Sequence, residues 1–258
     1  MKKITVVILL VLTIVACRKK NEPKPASSPP VLLTGIKFIA PGTPDSLVYN
    51  YVYKYNAEHQ LTDVFLGSTD YPLKYSPSGQ LIYYGGVSES GISILIAYDS
   101  QNNPVSSTVT TYTSIQQPEN VSYFSYKMSN GRVAQVYELN GPNGSVATTY
   151  NLTYDDSGNI IGKDIINSDG SVREKNAYTF GKHHSPLFTD HIRLYISPDL
   201  DDDYFNSNEK LTQISVNSLG TTEFDFTYTY NELFPTSMVI TAGGVNNFYY
   251  YTYSGLNN

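Results

Sequence analysis

Large apolar or aromatic residues alternate with polar ones along most of the chain. Residues 48–55 read VYNYVYKY, and the same period of two recurs in residues 224–230 (FDFTYTY) and 249–253 (YYYTY). A period of two places successive side chains on opposite faces of a β-strand, and strands prefer the β-branched and aromatic residues that fill these runs. The pattern therefore predicts strands, and helical spacing is hard to find.

Further strands are predicted between turn signals that follow one another closely. Turn-forming pairs stand at residues 78–79, 130–131, 143–144, 157–158 and 169–170. The additional strands are predicted near residues 35–39, 92–98, 121–128, 133–139, 148–154, 159–166, 192–196, 211–216 and 236–241. Closely spaced turns favour antiparallel hairpins over crossover units, so we expect an all-β antiparallel meander of about 14–17 short strands.

A repeat underlies these hairpins. Six segments begin with a tyrosine and run into a turn: Tyr55, Tyr75, Tyr98, Tyr126, Tyr154 and Tyr230. The next residue is Asp or Asn in four of the six, and its side chain suits the start of a turn. The fifth residue is Gly or Asn in four of the six, which are the types that accept a positive φ. We expect each tyrosine ring to lie on the sheet as a packing partner, with its hydroxyl in water.

The spacing of the repeat indicates an array of similar units. The distance from Tyr55 to Tyr230 is 175 residues, which is seven steps of 25. Each step accommodates one hairpin, and such an array implies that every unit packs on its neighbours.

The N-terminus has the pattern of a bacterial secretion signal. Lys2 and Lys3 precede an apolar run over residues 4–16 that ends in a small residue before Cys17. Residues 14–17 (IVAC) resemble the lipobox of bacterial lipoproteins, which implies that Cys17 is lipidated and becomes the mature N-terminus. Residues 18–30 are polar and rich in proline, as expected of a flexible tether. We therefore predict a signal peptide (1–16), a lipidated tether (17–30) and one β-domain (31–258).

Processing at Cys17 changes the charge and the available chemistry. Loss of residues 1–16 removes two lysines and no acid, so the net charge moves from −6 to −8. An acidic body does not suit the phosphate backbone, and this argues against nucleic acid as a partner. The chain has one cysteine, so its lipidation leaves no thiol for a disulfide, a nucleophile or a metal site. The membrane is then contacted through the lipid. In the lipoproteins that the N-terminus resembles, an Asp after the lipidated cysteine retains many members in the inner membrane, so Arg18 at that position favours the outer membrane. The side of the outer membrane on which the protein lies stays open.

Residues 154–160 (YDDSGNI) resemble the tyrosine–aspartate repeat of the RHS/YD family, in which a Tyr-Asp pair precedes a glycine-containing hairpin turn. The whole chain resembles a group of Bacteroidetes lipoproteins that combine a lipobox, a polar tether and a tyrosine-rich body of such hairpins. This resemblance implies a porin-like meander, curved or closed into a barrel, with no assigned activity. We expect the barrel not to be membrane-inserted, because its alternating faces carry Tyr, Thr, Ser and Asn where lipid contact requires an aliphatic band.

Two clusters are candidates for metal binding. Asp199, Asp201 and Asp203 place oxygen ligands at alternate positions, which suits calcium, although Tyr204 and Lys210 stand where an EF-hand needs Gly and Glu. The alternative is a solvated acidic loop. For the histidines at 183, 184 and 191, surface or turn positions are favoured over a zinc site, because neighbours on an extended segment face opposite sides. No cofactor other than this calcium is predicted.

The remaining functional signal is aromatic. The chain has 24 tyrosines and no tryptophan, and the cluster most open to a surface binding role is Tyr249, Tyr250, Tyr251 and Tyr253. No Gly-x-Ser-x-Gly motif is present. We predict a non-enzymatic envelope protein that binds a protein or a glycan. The alternatives are a glycan-processing enzyme that uses a carboxylate pair and a structural scaffold.

Overall fold

The computed structural model describes residues 31–41, 47–86, 91–114, 117–186 and 206–256. These residues form sixteen strands: β1 (Leu32–Ala40), β2 (Leu47–Tyr55), β3 (Leu61–Leu66), β4 (Thr69–Tyr75), β5 (Leu81–Gly85), β6 (Ile92–Tyr98), β7 (Pro104–Ser114), β8 (Gln117–Ser129), β9 (Arg132–Leu139), β10 (Val146–Tyr154), β11 (Ile160–Asn167), β12 (Val172–His184), β13 (Asn208–Asn217), β14 (Gly220–Asn231), β15 (Phe234–Ala242) and β16 (Val245–Ser254).

Each strand pairs antiparallel with the next one in the chain, and β16 pairs with β1 to close a barrel. The predicted all-β meander is therefore confirmed, and the strand count lies within the predicted range. The strand predicted at 192–196 lies outside the described residues. No described helix is long and apolar enough to cross a membrane.

Apolar side chains fill much of the barrel interior. The alternation along each strand turns every second residue inward, and the inward residues of β3–β11 are closely packed. Ile94, Phe124, Val133 and Tyr150 are each no more than 2% exposed. Burial of one such side chain stabilises the fold by about 1.5–3 kcal/mol. Among the described residues, this part of the barrel has a packed core.

The two ends of the barrel differ in their connections. We call the end at which β1 begins the entry end and the opposite end the far end. Because the strands alternate in direction, the turns that follow the even-numbered strands all lie at the entry end. The tyrosine-led turns therefore gather at the entry end, and the β1–β2, β13–β14 and β15–β16 connections lie at the far end.

Four of the six tyrosine-led segments form the same turn. After Tyr55, the N–H of Asn56 donates to the carbonyl of Gln60, and equivalent bonds close the turns after Tyr75, Tyr98 and Tyr154. The fifth residue of each segment has a positive φ, between 63° at His59 and 95° at Gly158. These are three-residue hairpins, a type I turn followed by one left-handed residue. The prediction for the fifth position is thus confirmed in these four turns.

The other two segments differ. Tyr126 lies three residues before the end of β8, and the turn that follows is the Asn130–Gly131 pair, with φ of 51° and 73°. Tyr230 lies one residue before the end of β14, and Glu232 carries the positive φ there. Two-residue hairpin turns replace the three-residue turn at both places.

The tyrosine hydroxyls are not left in water as expected. In the four uniform repeats each hydroxyl donates to a backbone carbonyl near the start of the strand that precedes its own. The pairs are Tyr55 to Leu33 (2.7 Å), Tyr75 to Leu61 (2.8 Å), Tyr98 to Leu81 (2.9 Å) and Tyr154 to Val133 (2.8 Å). The expectation was wrong because closure of the barrel turns these rings inward, where a buried hydroxyl requires a hydrogen-bond partner. Tyr126 is within 2.7 Å of the Ser107 hydroxyl.

Candidate functional site

A cavity of about 440 Å³ interrupts the packed interior between β1, β2 and β13–β16. Ser185 and Pro186, which follow β12, also line it. Most of its wall is aromatic: Phe38, Tyr49, Tyr51, Tyr53, Phe224, Phe226, Tyr228, Tyr249 and Tyr251. This region is the strongest candidate for a functional site among the described residues.

Strand alternation and register build the cavity wall in layers. Phe38 on β1 pairs with Tyr49 on β2 and with Tyr249 on β16, and the ring centroid of Phe38 lies 5.9 Å and 4.7 Å from theirs. Tyr49 is 39% exposed and stands at the start of β2, so this layer faces the far end. Ile36 and Tyr251, one layer further in, are both 8% exposed. The cavity therefore becomes drier towards the barrel centre.

The polar groups of the cavity are few and placed among the rings. Lys210 is the charged member of the described lining, which includes no Asp or Glu. Its ammonium lies 5.1 Å from the Tyr178 ring centroid and 5.3 Å from that of Phe226, within the range of cation–π attraction. Gln213 and Asn247 add amide groups. The described lining thus combines flat aromatic faces with amide groups and the lysine side chain.

The tyrosine cluster predicted on β16 is divided between the two faces of the sheet. Tyr249 and Tyr251 line the cavity, and the Tyr251 hydroxyl lies 3.6 Å from the sulfur of Met238. Tyr253 also points inward, with a buried hydroxyl that has no hydrogen-bond partner among the described residues. Tyr250 lies on the outer surface and is 46% exposed. A binding role on the outer surface therefore concerns Tyr250 alone.

The sequence reasoning missed the other walls of the cavity. The period of two places Tyr49, Tyr51 and Tyr53 on one face of a strand. It does the same for Phe224, Phe226 and Tyr228 on another strand, but it does not show that either face lines the interior. The signal was present in the shared period of two. Which face turned inward depends on the closed sheet and not on the local pattern.

A second cluster lies at the entry end. Glu209 is 2% exposed, and its Oε1 is 2.9 Å from Nδ1 of His183 and accepts the hydroxyl of Tyr230 at 3.3 Å. The imidazole stacks on the Tyr230 ring with centroids 4.0 Å apart. Gly181 leaves room for the carboxylate, because a Cβ there would displace the carboxylate of Glu209. Burial, followed by the charge and hydrogen bond of Glu209, raises the pKa of Tyr230 to about 12.

This second cluster places His183 against the Glu209 carboxylate. Within the described ranges no group of three His, Cys, Asp or Glu residues could hold a metal ion. The His184 ring packs on that of Phe234, with centroids 5.6 Å apart. His191 and the predicted calcium ligands at 199–203 lie outside the described residues, as does Cys17. The calcium and lipidation predictions therefore remain predictions.

The turn that most resembles the YD motif has a structural role. The side-chain oxygen of Asn159 accepts hydrogen bonds from the backbone N–H groups of Ser207 (2.9 Å) and Asn208 (3.0 Å). In return, the N–H of Ile160 donates to the side chain of Asn206 at 2.7 Å. These bonds fasten the start of β13, and with it Glu209 and Lys210, to the Tyr154 hairpin.

Comparison with known proteins identifies the fold. No family model and no curated protein matches the chain. A porin-like protein from Bacteroides uniformis matches 86% of this chain and 96% of its own, with a TM-score of 0.54 and 13% identity. One from Bacteroides vulgatus matches 85% of this chain and 98% of its own, with a TM-score of 0.53 and 12% identity. The barrel is thus porin-like, as expected, whereas the lipoprotein-family and YD resemblances remain predictions.

Proposed function

We propose that the protein is a lipid-anchored envelope protein that binds a short glycan inside its barrel, without catalysis. The porin-like fold supports a place in the envelope. The lipid at Cys17 and the outer membrane as its location follow from the N-terminal pattern. The aromatic cavity is the observation on which the binding function rests.

The chemistry of the cavity suits a sugar. A sugar ring presents apolar C–H faces that stack on aromatic side chains, and hydroxyls that bond to amides. The cavity offers both kinds of group, with Tyr49 and Tyr249 near its mouth and Gln213 and Asn247 among the rings. Its volume of about 440 Å³ lies in the range of about 300–1,000 Å³ typical of small-molecule sites. An acyl chain would be better matched by an aliphatic wall, and a protein partner needs a broader surface.

The alternatives fit the cavity less well. Glycoside hydrolysis uses a pair of carboxyl groups beside the scissile bond, and the described lining of this cavity contains none. A purely structural role leaves the cavity unexplained, because protein interiors are packed with few voids larger than a water molecule. The non-enzymatic binding function is therefore the one that the geometry supports best.

A glycan array followed by calorimetric titration tests the proposal. Tyr249→Ala should weaken the affinity for the selected glycan about 10-fold, because an aromatic contact and its buried area are lost. Tyr250→Ala is the matched control, since its neighbouring ring lies on the outer face, and it should leave the affinity unchanged. Absence of binding across the array, or equal losses in both variants, would refute the cavity as the site. Release of new reducing ends would favour the enzyme instead.

Lipidation is tested separately. Cells that express the protein with labelled palmitate should give a labelled band, and Cys17→Ala should give none. Membrane fractionation of the two forms then reports the anchor. A labelled Cys17→Ala band would place the lipid elsewhere.

A further inference from the structure

We propose that Gln213 selects a free hydroxyl group of a neutral hexose unit in the bound glycan, and that Glu174 is the positioning residue that gives it this preference. The inference rests on the proposed function and adds a determinant of its specificity. Gln213 lines the cavity from β13. Its side-chain nitrogen donates to the hydroxyl of Ser215 at 3.2 Å.

A chain of hydrogen bonds continues from Ser215 along the inner face of the wall. The Ser215 hydroxyl donates to Oδ1 of Asn176, which stands opposite it where β12 pairs with β13. Nδ2 of Asn176 donates in turn to Oε1 of Glu174 at 2.8 Å. Asn176 and Ser215 are both buried, so these bonds are shielded from water.

The carboxylate of Glu174 sets the direction of every bond in this chain. A carboxylate accepts and does not donate, so the Asn176 amide turns its nitrogen towards Glu174 and its oxygen towards Ser215. A hydroxyl has one proton, and because Ser215 gives it to Asn176, Gln213 can meet Ser215 only with its nitrogen. The carbonyl oxygen of Gln213, which the chain does not use, is left for the cavity that this residue lines.

This fixed acceptor determines which part of a glycan can lie against it. Successive hydrogen bonds polarise one another, so a carbonyl at the end of a chain that is anchored on a carboxylate accepts more strongly than that of an isolated amide. A hydroxyl can donate to it, whereas a sugar carboxylate, a sulfate or an ether oxygen offers only acceptors. Gln213 should therefore distinguish a free hydroxyl from a substituted or acidic position.

Fluorine scanning of simple sugars tests this selection. Fluorine is close to a hydroxyl in size but cannot donate a hydrogen bond. The probes are methyl β-glucoside, methyl β-galactoside and methyl α-mannoside, each with fluorine in place of one hydroxyl at a time, titrated by calorimetry. For a sugar that binds, fluorine at one position should weaken the affinity about 10- to 100-fold, because the Gln213 carbonyl loses its donor. We call this loss the fluorine penalty.

Two variants assign the penalty to the hydrogen-bond chain. In Gln213→Leu the fluorine penalty should disappear, because no carbonyl awaits a donor. In Glu174→Gln an amide can offer either end to Asn176, so the chain loses its fixed direction and the penalty should fall several-fold. Glu223→Gln removes the same charge from an exposed position on β14 and should leave the penalty unchanged. A merely structural role of Glu174 would weaken the sugar and its fluorinated form equally, so the penalty separates positioning from folding.

The wild-type scan needs no variant, so the inference stays falsifiable if a variant does not fold. A sugar that binds but loses less than about threefold at every fluorinated position would overturn the inference and leave glycan binding intact. An unchanged penalty in Gln213→Leu would do the same, and an unchanged penalty in Glu174→Gln would refute its positioning role. Array glycans that bind while none of the three hexosides does would show that Gln213 selects another kind of group. Failure of every glycan on the array to bind would refute the proposed function itself.

Discussion

Removal of a single tyrosine hydroxyl tests the hydrogen-bond arrangement of the entry end. In Tyr75→Phe the ring is kept, and only the oxygen that donates to the Leu61 carbonyl at 2.8 Å is lost. The hydroxyl lies in the barrel interior, where burial, with Tyr55 and Tyr98 nearby, raises the pKa of Tyr75. The substitution therefore isolates one interior hydrogen bond without creating a cavity.

The magnitude follows from the geometry of the bond. A short neutral hydrogen bond away from water contributes a net free energy of about 0.5–1.5 kcal/mol. For a domain of roughly this size, each kcal/mol changes the melting temperature by about 2–4 °C. The free energy of unfolding of Tyr75→Phe should accordingly fall by about 1 kcal/mol, and its melting temperature by about 1–6 °C.

Urea unfolding followed by far-ultraviolet circular dichroism measures the loss. Tyr250→Phe is the control, because it removes the same atom from a ring that is 46% exposed on the outer face, and its effect should stay within about 0.5 kcal/mol. If the two variants unfold at the same urea concentration, or if Tyr75→Phe is the more stable, the interior tyrosine bonds do not stabilise the barrel and the reasoning is refuted.

Three further predictions concern charged groups. His183→Ala should lower the free energy of unfolding by about 1–3 kcal/mol, because buried Glu209 loses a hydrogen-bond partner; in a double-mutant cycle Glu209→Gln should reduce that loss, and additive effects would contradict the coupling. Hydrogen bonds from Asn103 hold the pKa of Asp99 below its usual value, so its stabilisation is present above about pH 4 and lost as the pH falls further; in acid titration the stability difference between wild type and Asp99→Ala should shrink below pH 4. If residues 199–203 bind calcium, the melting temperature should be higher in millimolar calcium than in EDTA. Superimposable melting curves would exclude the calcium site.

Features that depend on neighbouring residues were predictable from the sequence. The strands follow from the alternation of residue types, and the left-handed residues at Gly79 and Gly158 follow from the composition of the turn, because the backbone there is set by four or five consecutive residues. His59 shows that the position, and not the residue type alone, sets the conformation, since it adopts a φ of 63° in the same slot.

Features that depend on distant residues were not predictable. A period of two separates Tyr250 from Tyr249 but does not say which of them lies inside, because a shift of one residue exchanges the faces. The carboxylate of Glu209 meets His183 from 26 residues away and Tyr230 from 21, and no motif links them. The sheet is irregular between Phe180 and His184, where β12 pairs with β13, so even the alternation along β12 does not predict the contact.

The tyrosine repeat and the cavity overlap in part. Three of the four uniform hairpins, led by Tyr75, Tyr98 and Tyr154, belong to the packed region of β3–β11. The fourth, led by Tyr55, ends β2, and this strand also lines the cavity. One strand can therefore supply both functions: the Tyr55 hydroxyl bonds to the Leu33 carbonyl at the entry end, whereas Tyr49, nearer the far end, lies at the mouth of the cavity. Stabilising bonds and cavity-lining rings are thus separated along the strands rather than between them.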